Sequence, residues 1–182
     1  MICISMVTFN RRHMLERVLD AIEQTCKGED YRLYVADNGS TDGTPDMLKE
    51  RQTEEGQLRI WLLRHNRGTE IGRNQTHWPL CIGRDTVRMD DKVLPLALGW
   101  LTRMKQAADA NHAIVATPYA PEVAPLRGTS PVYNFIRWDG DEGIGGPLIF
   151  IPGPVTAALG ALDELQFTAT YGWGDILYIE RA

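Results

Sequence analysis

Apolar and polar positions along the first two thirds of the chain alternate between two periods. Ile2 to Thr8 is mostly apolar and predicts a buried strand. Met14, Leu15, Val18, Leu19 and Ile22 then recur at helical spacing, which predicts a helix from about Arg11 to Cys26. Tyr31 to Ala36 predicts a second strand. Pro45 to about Glu54 predicts a second helix, with Thr44 as its N-cap and Pro45 at its first position. Leu58 to Leu63 is a third strand, and a third helix runs from about Thr69 to His77, halted before Pro79. Asp85 to Met89 reads as a short strand. Ala97, Trp100, Leu101, Met104 and Ala108 mark a fourth helix, and Ala113 to Thr117 a further buried strand. This β-α-β-α-β order predicts a mostly parallel sheet with helices on both faces.

After Pro118 the texture changes. Pro118 to Pro131 holds four prolines and little periodicity, so a loop is expected. Val132 to Trp138 suits an edge strand. Leu148 to Ile151 is a short apolar run, and a short helix is expected from Pro154. The chain closes on Tyr171-Gly172-Trp173-Gly174-Asp175 and a helix-like segment, Ile176 to Arg181. There is no internal repeat and no linker, so residues 1–182 read as one domain. Its two halves cover about 1–92 and about 93–182.

Composition narrows the class. The 182 residues are 43% hydrophobic and 24% charged, with a formal net charge of −5 and no stripe of Lys and Arg, which argues against nucleic acid. Three cysteines, Cys3, Cys26 and Cys81, do not make a disulfide framework and suit a reducing compartment. The opening strand lacks a basic flank, and no stretch approaches the ~18 apolar residues that span a bilayer. A cytoplasmic location is the expectation.

Chemistry concentrates where strands end. Leu33 to Ala36 stops at Asp37-Asn38-Gly39-Ser40-Thr41-Asp42-Gly43-Thr44. That places two aspartates and small polar groups at the carboxyl end of a strand, the edge at which open α/β sheets bind ligands. A carboxylate such as Asp37 can accept the imide hydrogen of uracil or the amino and imino hydrogens of guanine. The first strand ends in Thr8-Phe9-Asn10-Arg11-Arg12, a junction suited to an anion or a base edge. No glycine-rich loop stands there, which counts against a nucleotidyltransferase and against a dinucleotide-binding dehydrogenase. Asn66-Arg67-Gly68 and Arg73-Asn74 follow, then Arg88-Met89-Asp90-Asp91-Lys92-Val93.

Taken in this order the motifs resemble the inverting GT-A glycosyltransferases of the family 2 type, over nearly the whole chain from Ile2 to Arg181. The resemblance implies a doubly wound, mostly parallel sheet with a small antiparallel annex in the second half. It implies sugar transfer from a nucleotide diphosphate sugar, a UDP-sugar by preference, to a hydroxyl acceptor on a glycan, a lipid-linked sugar or a small molecule. The enzyme would belong to the hexosyltransferase class. Thr8, Asn10, Arg12, Asp37, Asn38, Ser40, Asn66, Gly68 and Arg73 would hold the nucleotide. Asp90 and Asp91 would hold Mn²⁺ or Mg²⁺, a Lewis acid for the departing diphosphate. Gly145, Gly146 and Trp173 would shape the acceptor pocket, and Asp175 would be the general base.

Two departures from the family pattern matter. Lys92 stands where a third acid is usual, and Gly174 stands where an acid commonly precedes the base. Lys92 leaves two readings open: the acid pair retains a metal, or the ammonium group neutralises the diphosphate itself. The alternative to an enzyme is a catalytically silent module of the same fold that binds nucleotide sugar or serves a partner.

Overall fold

The computed structural model describes residues 1–112, 114–116, 134–136 and 148–162. The expected sites Gly145, Gly146, Trp173 and Asp175 lie outside the described residues. The first half builds β1 (Ile2–Thr8), α1 (Arg12–Thr25), β2 (Tyr31–Asp37), α2 (Thr44–Arg51), β3 (Leu58–Leu62), α3 (Thr69–Asn74), α4 (Trp78–Cys81) and β4 (Thr86–Asp90). Then come α5 (Trp100–Asn111), β5 (Ile114–Ala116), β6 (Asn134–Ile136), β7 (Leu148–Ile151) and α6 (Gly153–Leu159).

The described strands form one sheet in the order β3-β2-β1-β4-β7-β5-β6. β1 pairs in parallel with β2 and β4, and β2 in parallel with β3. β7 then inserts antiparallel between β4 and β5, and β6 closes that edge antiparallel to β5. The antiparallel part foreseen for the second half thus continues the same sheet.

Both faces are covered, which is why β1 is mostly apolar, Ser5 and Thr8 aside. Ile2, Ile4 and Met6 point to one face, where they meet Leu15, Val18, Leu19 and Ile22 of α1, Met47 and Leu48 of α2, and Trp100, Leu101 and Met104 of α5. Each such side chain contributes roughly 2 kcal/mol by leaving water. Cys3 points to the other face, among Tyr34, Trp78 and Cys81 of α4, Ile149 and Ile151 of β7, and Val155 and Leu159 of α6. All three cysteines are free and buried. No helix among the described residues is long and apolar enough to cross a membrane.

Three local expectations change. Gly43, not Thr44, is the N-cap of α2, because its φ of 85° ends the turn in a left-handed conformation. The Asp42 carboxylate instead accepts the Thr44 N–H at 3.1 Å. The expected helix from Thr69 to His77 breaks after Asn74, and a new turn starts at Trp78 with Pro79 in its first positions, where no N–H is needed. The fourth helix starts at Trp100 and excludes Ala97, since Gly99 supplies a left-handed N-cap.

Candidate functional site

Because β1, β2 and β4 are parallel and adjacent, their carboxyl ends share one edge of the sheet. Register decides which residues meet there: Asp37 lies opposite Thr8, and Asp90 lies opposite Val7. One edge of the sheet therefore collects the ends of the first, second and fourth motifs.

The turn after β2 is latched to the start of α1. The Asn10 N–H donates to Ser40 Oγ at 2.8 Å, and the Thr41 N–H donates to Asn10 Oδ1 at 2.8 Å. Asn10 adopts φ 50°, a left-handed conformation that asparagine tolerates better than most residues. The Arg12 N–H donates to Asp42 Oδ2 at 2.9 Å. Slight desolvation raises the Asp42 pKa, but the Arg12 and Thr44 N–H groups and the Thr44 hydroxyl outweigh it and hold the pKa below the usual range. The Arg12 guanidinium lies over Gly43, 2.8 Å from where a Cβ would stand.

Asp37 is 1% exposed. Its Oδ2 accepts the Ser40 N–H at 3.0 Å. Its Oδ1 is buried and has no partner among the described residues. A buried acceptor oxygen left in that state is costly unless a ligand donor meets it.

Asn38, Asn66 and Gly68 are also brought together, though chiefly with one another. Asn38 Nδ2 donates to Asn66 Oδ1 at 2.8 Å and to the Gly68 carbonyl at 3.1 Å, while Asn38 Oδ1 accepts the Arg67 N–H at 2.9 Å. The Gly68 N–H returns to Asn66 Oδ1 at 2.9 Å. These amides hold the loop after β3 against the end of β2. Gly39 permits that approach: at φ 82° its absent Cβ would lie 2.9 Å from the His65 backbone.

At the end of β4 each acid has a cation. Thr8 Oγ1 donates to Asp91 Oδ2 at 2.8 Å, and the half-exposed Arg11 guanidinium stands 3.5 Å from Asp91 Oδ1. Burial raises the Asp91 pKa, and the Thr8 hydrogen bond and the Arg11 charge act against that rise. The half-exposed Lys92 ammonium stands 3.4 Å from Asp90 Oδ2.

Arg73 is not on this exposed edge. It is 3% exposed, and its NH1 lies 3.2 Å from Glu70 Oε1, which also accepts from Arg88 NH2 at 2.8 Å. Glu70 and Arg88 were not foreseen. An arginine inside the apolar strand Thr86–Asp90 and a Glu-Arg pair at i,i+3 are the signals that announce such a buried ion cluster. His77 was also missed as a core group. It is fully buried, its Nε2 lies 2.7 Å from Ser5 Oγ, and its ring stacks on Tyr34 at 5.9 Å and 13°.

Residues 3–128 match the family described as Glycosyl transferase family 2. The chain belongs to that family.

Solved structures agree on the fold of this family 2 chain. A mannosyltransferase, PcManGT from Pyrobaculum calidifontis in complex with GDP-Man and Mn²⁺, is 19% identical with a TM-score of 0.67, over 90% of this chain and 48% of its own. S. aureus TarS residues 1–349 in complex with UDP-GlcNAc is 16% identical with a TM-score of 0.66, over 100% of this chain and 52% of its own. A longer S. aureus TarS structure is 14% identical with a TM-score of 0.73, over 99% of this chain and 33% of its own. At these identities the likeness is one of fold, and the chain spans about half or less of each of these proteins. No curated protein sequence matches the chain.

Whether Asp90 and Asp91 suit the divalent ion expected from the family depends on what their oxygens already do. Three of the four carry a partner: Asp91 Oδ2 has Thr8, Asp91 Oδ1 has Arg11 and Asp90 Oδ2 has Lys92. Among the described residues no three His, Cys, Asp or Glu side chains stand together as a metal-ligating group. Two carboxylates already neutralised by an ammonium and a guanidinium do not fit a hard dication, which binds through uncommitted oxygens.

Proposed function

We propose that this family 2 chain binds a nucleotide diphosphate sugar at the carboxyl edge of β1, β2 and β4 and transfers the sugar to a hydroxyl acceptor with inversion. The observation that carries the reading is the buried, unmatched Oδ1 of Asp37 beside the committed Oδ2. One remaining acceptor atom suits the single imide hydrogen of uracil. Guanine offers two neighbouring N–H groups and would call on both oxygens. A UDP-sugar is therefore the favoured donor.

In this reading the Asn10–Ser40–Thr41 latch and the Asn38–Asn66–Gly68 loop fix the walls of the nucleotide pocket, so little ordering is needed when the donor arrives. Arg12 lies beside the same turn and faces the nucleotide. Arg73 acts from beneath, as a buried charge held by Glu70. Asp175 takes the proton of the acceptor hydroxyl as its oxygen attacks C1 opposite the diphosphate. Gly145 and Gly146 let the acceptor ring approach the backbone, and Trp173 stacks on its apolar face. These last assignments rest on motif position in the sequence.

The test is equilibrium binding of UDP and GDP, followed by detection of free UDP from a panel of UDP-sugars with hydroxyl acceptors. UDP should bind at least about tenfold tighter than GDP, one hydrogen bond's worth of discrimination. Asp37→Ala should abolish that preference. Asp175→Asn should keep donor binding and lose turnover. Binding without turnover by any donor would favour the silent module, and absence of nucleotide binding would refute the proposal.

A further inference from the structure

We propose that Lys92 and Arg11 form a two-cation cradle for the donor diphosphate, standing where a dication would stand in a metal-dependent site. Nucleotide binding by this chain is then independent of divalent metal. The inference rests on the donor-site reading above and adds to it the source of positive charge.

The argument begins with position. Lys92 follows directly on Asp90-Asp91 at the end of β4, and Arg11 lies between the end of β1 and the start of α1. Parallel pairing of β1 with β4 sets these two segments side by side at the carboxyl edge. Each cation has an aspartate beside it, Asp90 at 3.4 Å from Lys92 and Asp91 at 3.5 Å from Arg11. Both side chains are also half exposed. An ammonium has three donors and a guanidinium five, so each can touch its aspartate and a phosphate oxygen together.

The second step concerns the acids. Asp91 is largely buried, and its Oδ2 is held by the Thr8 hydroxyl, which turns the carboxylate toward β1. Its function in this arrangement is to orient Arg11. Asp90 does the same for Lys92. A dication placed against Asp90 would meet the Lys92 ammonium at short range, and the two would repel. The pair of acids thus positions cations and has little capacity left for another.

A nucleotide diphosphate sugar brings two negative charges on its pyrophosphate, and Lys92 and Arg11 can each meet one by a charge-assisted hydrogen bond while Asp90 and Asp91 hold them in place.

The experiment is calorimetric titration of the chain with UDP in excess chelator and again in Mn²⁺, repeated for Lys92→Ala, Lys92→Arg and Lys92→Asp. The wild type should bind UDP with the same affinity in both media. Lys92→Ala should weaken binding about tenfold, the loss of one charge-assisted contact, and Lys92→Arg should restore most of it. Lys92→Asp should bind poorly in chelator and recover with Mn²⁺, since it creates a third acid. Lys92 lies half exposed in a turn, and unchanged melting temperatures of the variants separate these effects from misfolding. Wild-type binding that appears only with Mn²⁺, or unchanged binding by Lys92→Ala, would overturn the cradle while leaving the donor site intact. No UDP binding in either medium would remove the donor site itself, and the cradle with it.

Discussion

His77 gives this fold a built-in sensitivity to acid. The ring is fully buried, with Nε2 2.7 Å from Ser5 Oγ and Nδ1 3.0 Å from Thr76 Oγ1. It stacks on Tyr34 and lies against Trp61 at 5.6 Å. Burial, with a smaller contribution from the charge on Arg73, presses its pKa from 6.5 down to about 3. In the unfolded chain the imidazole takes up a proton near its ordinary pKa, whereas the folded ring stays neutral down to about pH 3. The unfolded state therefore binds more protons throughout this window, so stability rises with pH across it and is lost as pH falls. Each pKa unit is worth about 1.4 kcal/mol, so acidification from about pH 7 to about pH 4.5 costs roughly 2–3 kcal/mol through this residue alone. Urea denaturation of the wild type and of His77→Gln at a series of pH values isolates that share, because glutamine keeps a polar side chain and cannot titrate. The wild type should lose that much more stability than the variant over the window. Parallel stability curves for the two proteins would refute the argument.

Further outcomes follow from the site's frame. Gly39→Ala should cost about 2 kcal/mol or more in denaturant titrations, from left-handed strain plus the clash with His65, and should weaken nucleotide binding by displacing the loop after β3. An effect below about 0.5 kcal/mol would contradict the close approach. Glu70→Ala removes the carboxylate shared by Arg73 and Arg88 and should cost about 3–5 kcal/mol by the same measurement. Stability unchanged within about 1 kcal/mol would show that the cluster is not held by this acid.

Much of the fold was legible because periodicity carried it. The apolar run at Ile2–Thr8 and the helical spacing from Leu15 to Ile22 each have one structural solution once both sheet faces are covered. The insertion of β7 between β4 and β5 was not legible, since strand order depends on pairing between segments remote in sequence. The convergence of Thr8, Asp37, Asp90 and Asp91 on one edge was legible from their positions at strand ends. What those side chains do there was not. Asn38 reads as a ligand contact and is committed to Asn66 and Gly68, and Arg73 reads as a nucleotide contact and is buried on Glu70. A motif fixes the residue type, but hydrogen-bond partners are set by loops whose approach no local pattern encodes.

Amide chemical-shift mapping during titration with UDP addresses the central claim most directly. Binding at the proposed edge should shift the resonances of Thr8 to Arg12, Asp37 to Thr41 and Asp90 to Lys92 together, at one common affinity. Shifts confined to other surfaces, or none at saturating nucleotide, would contradict the account.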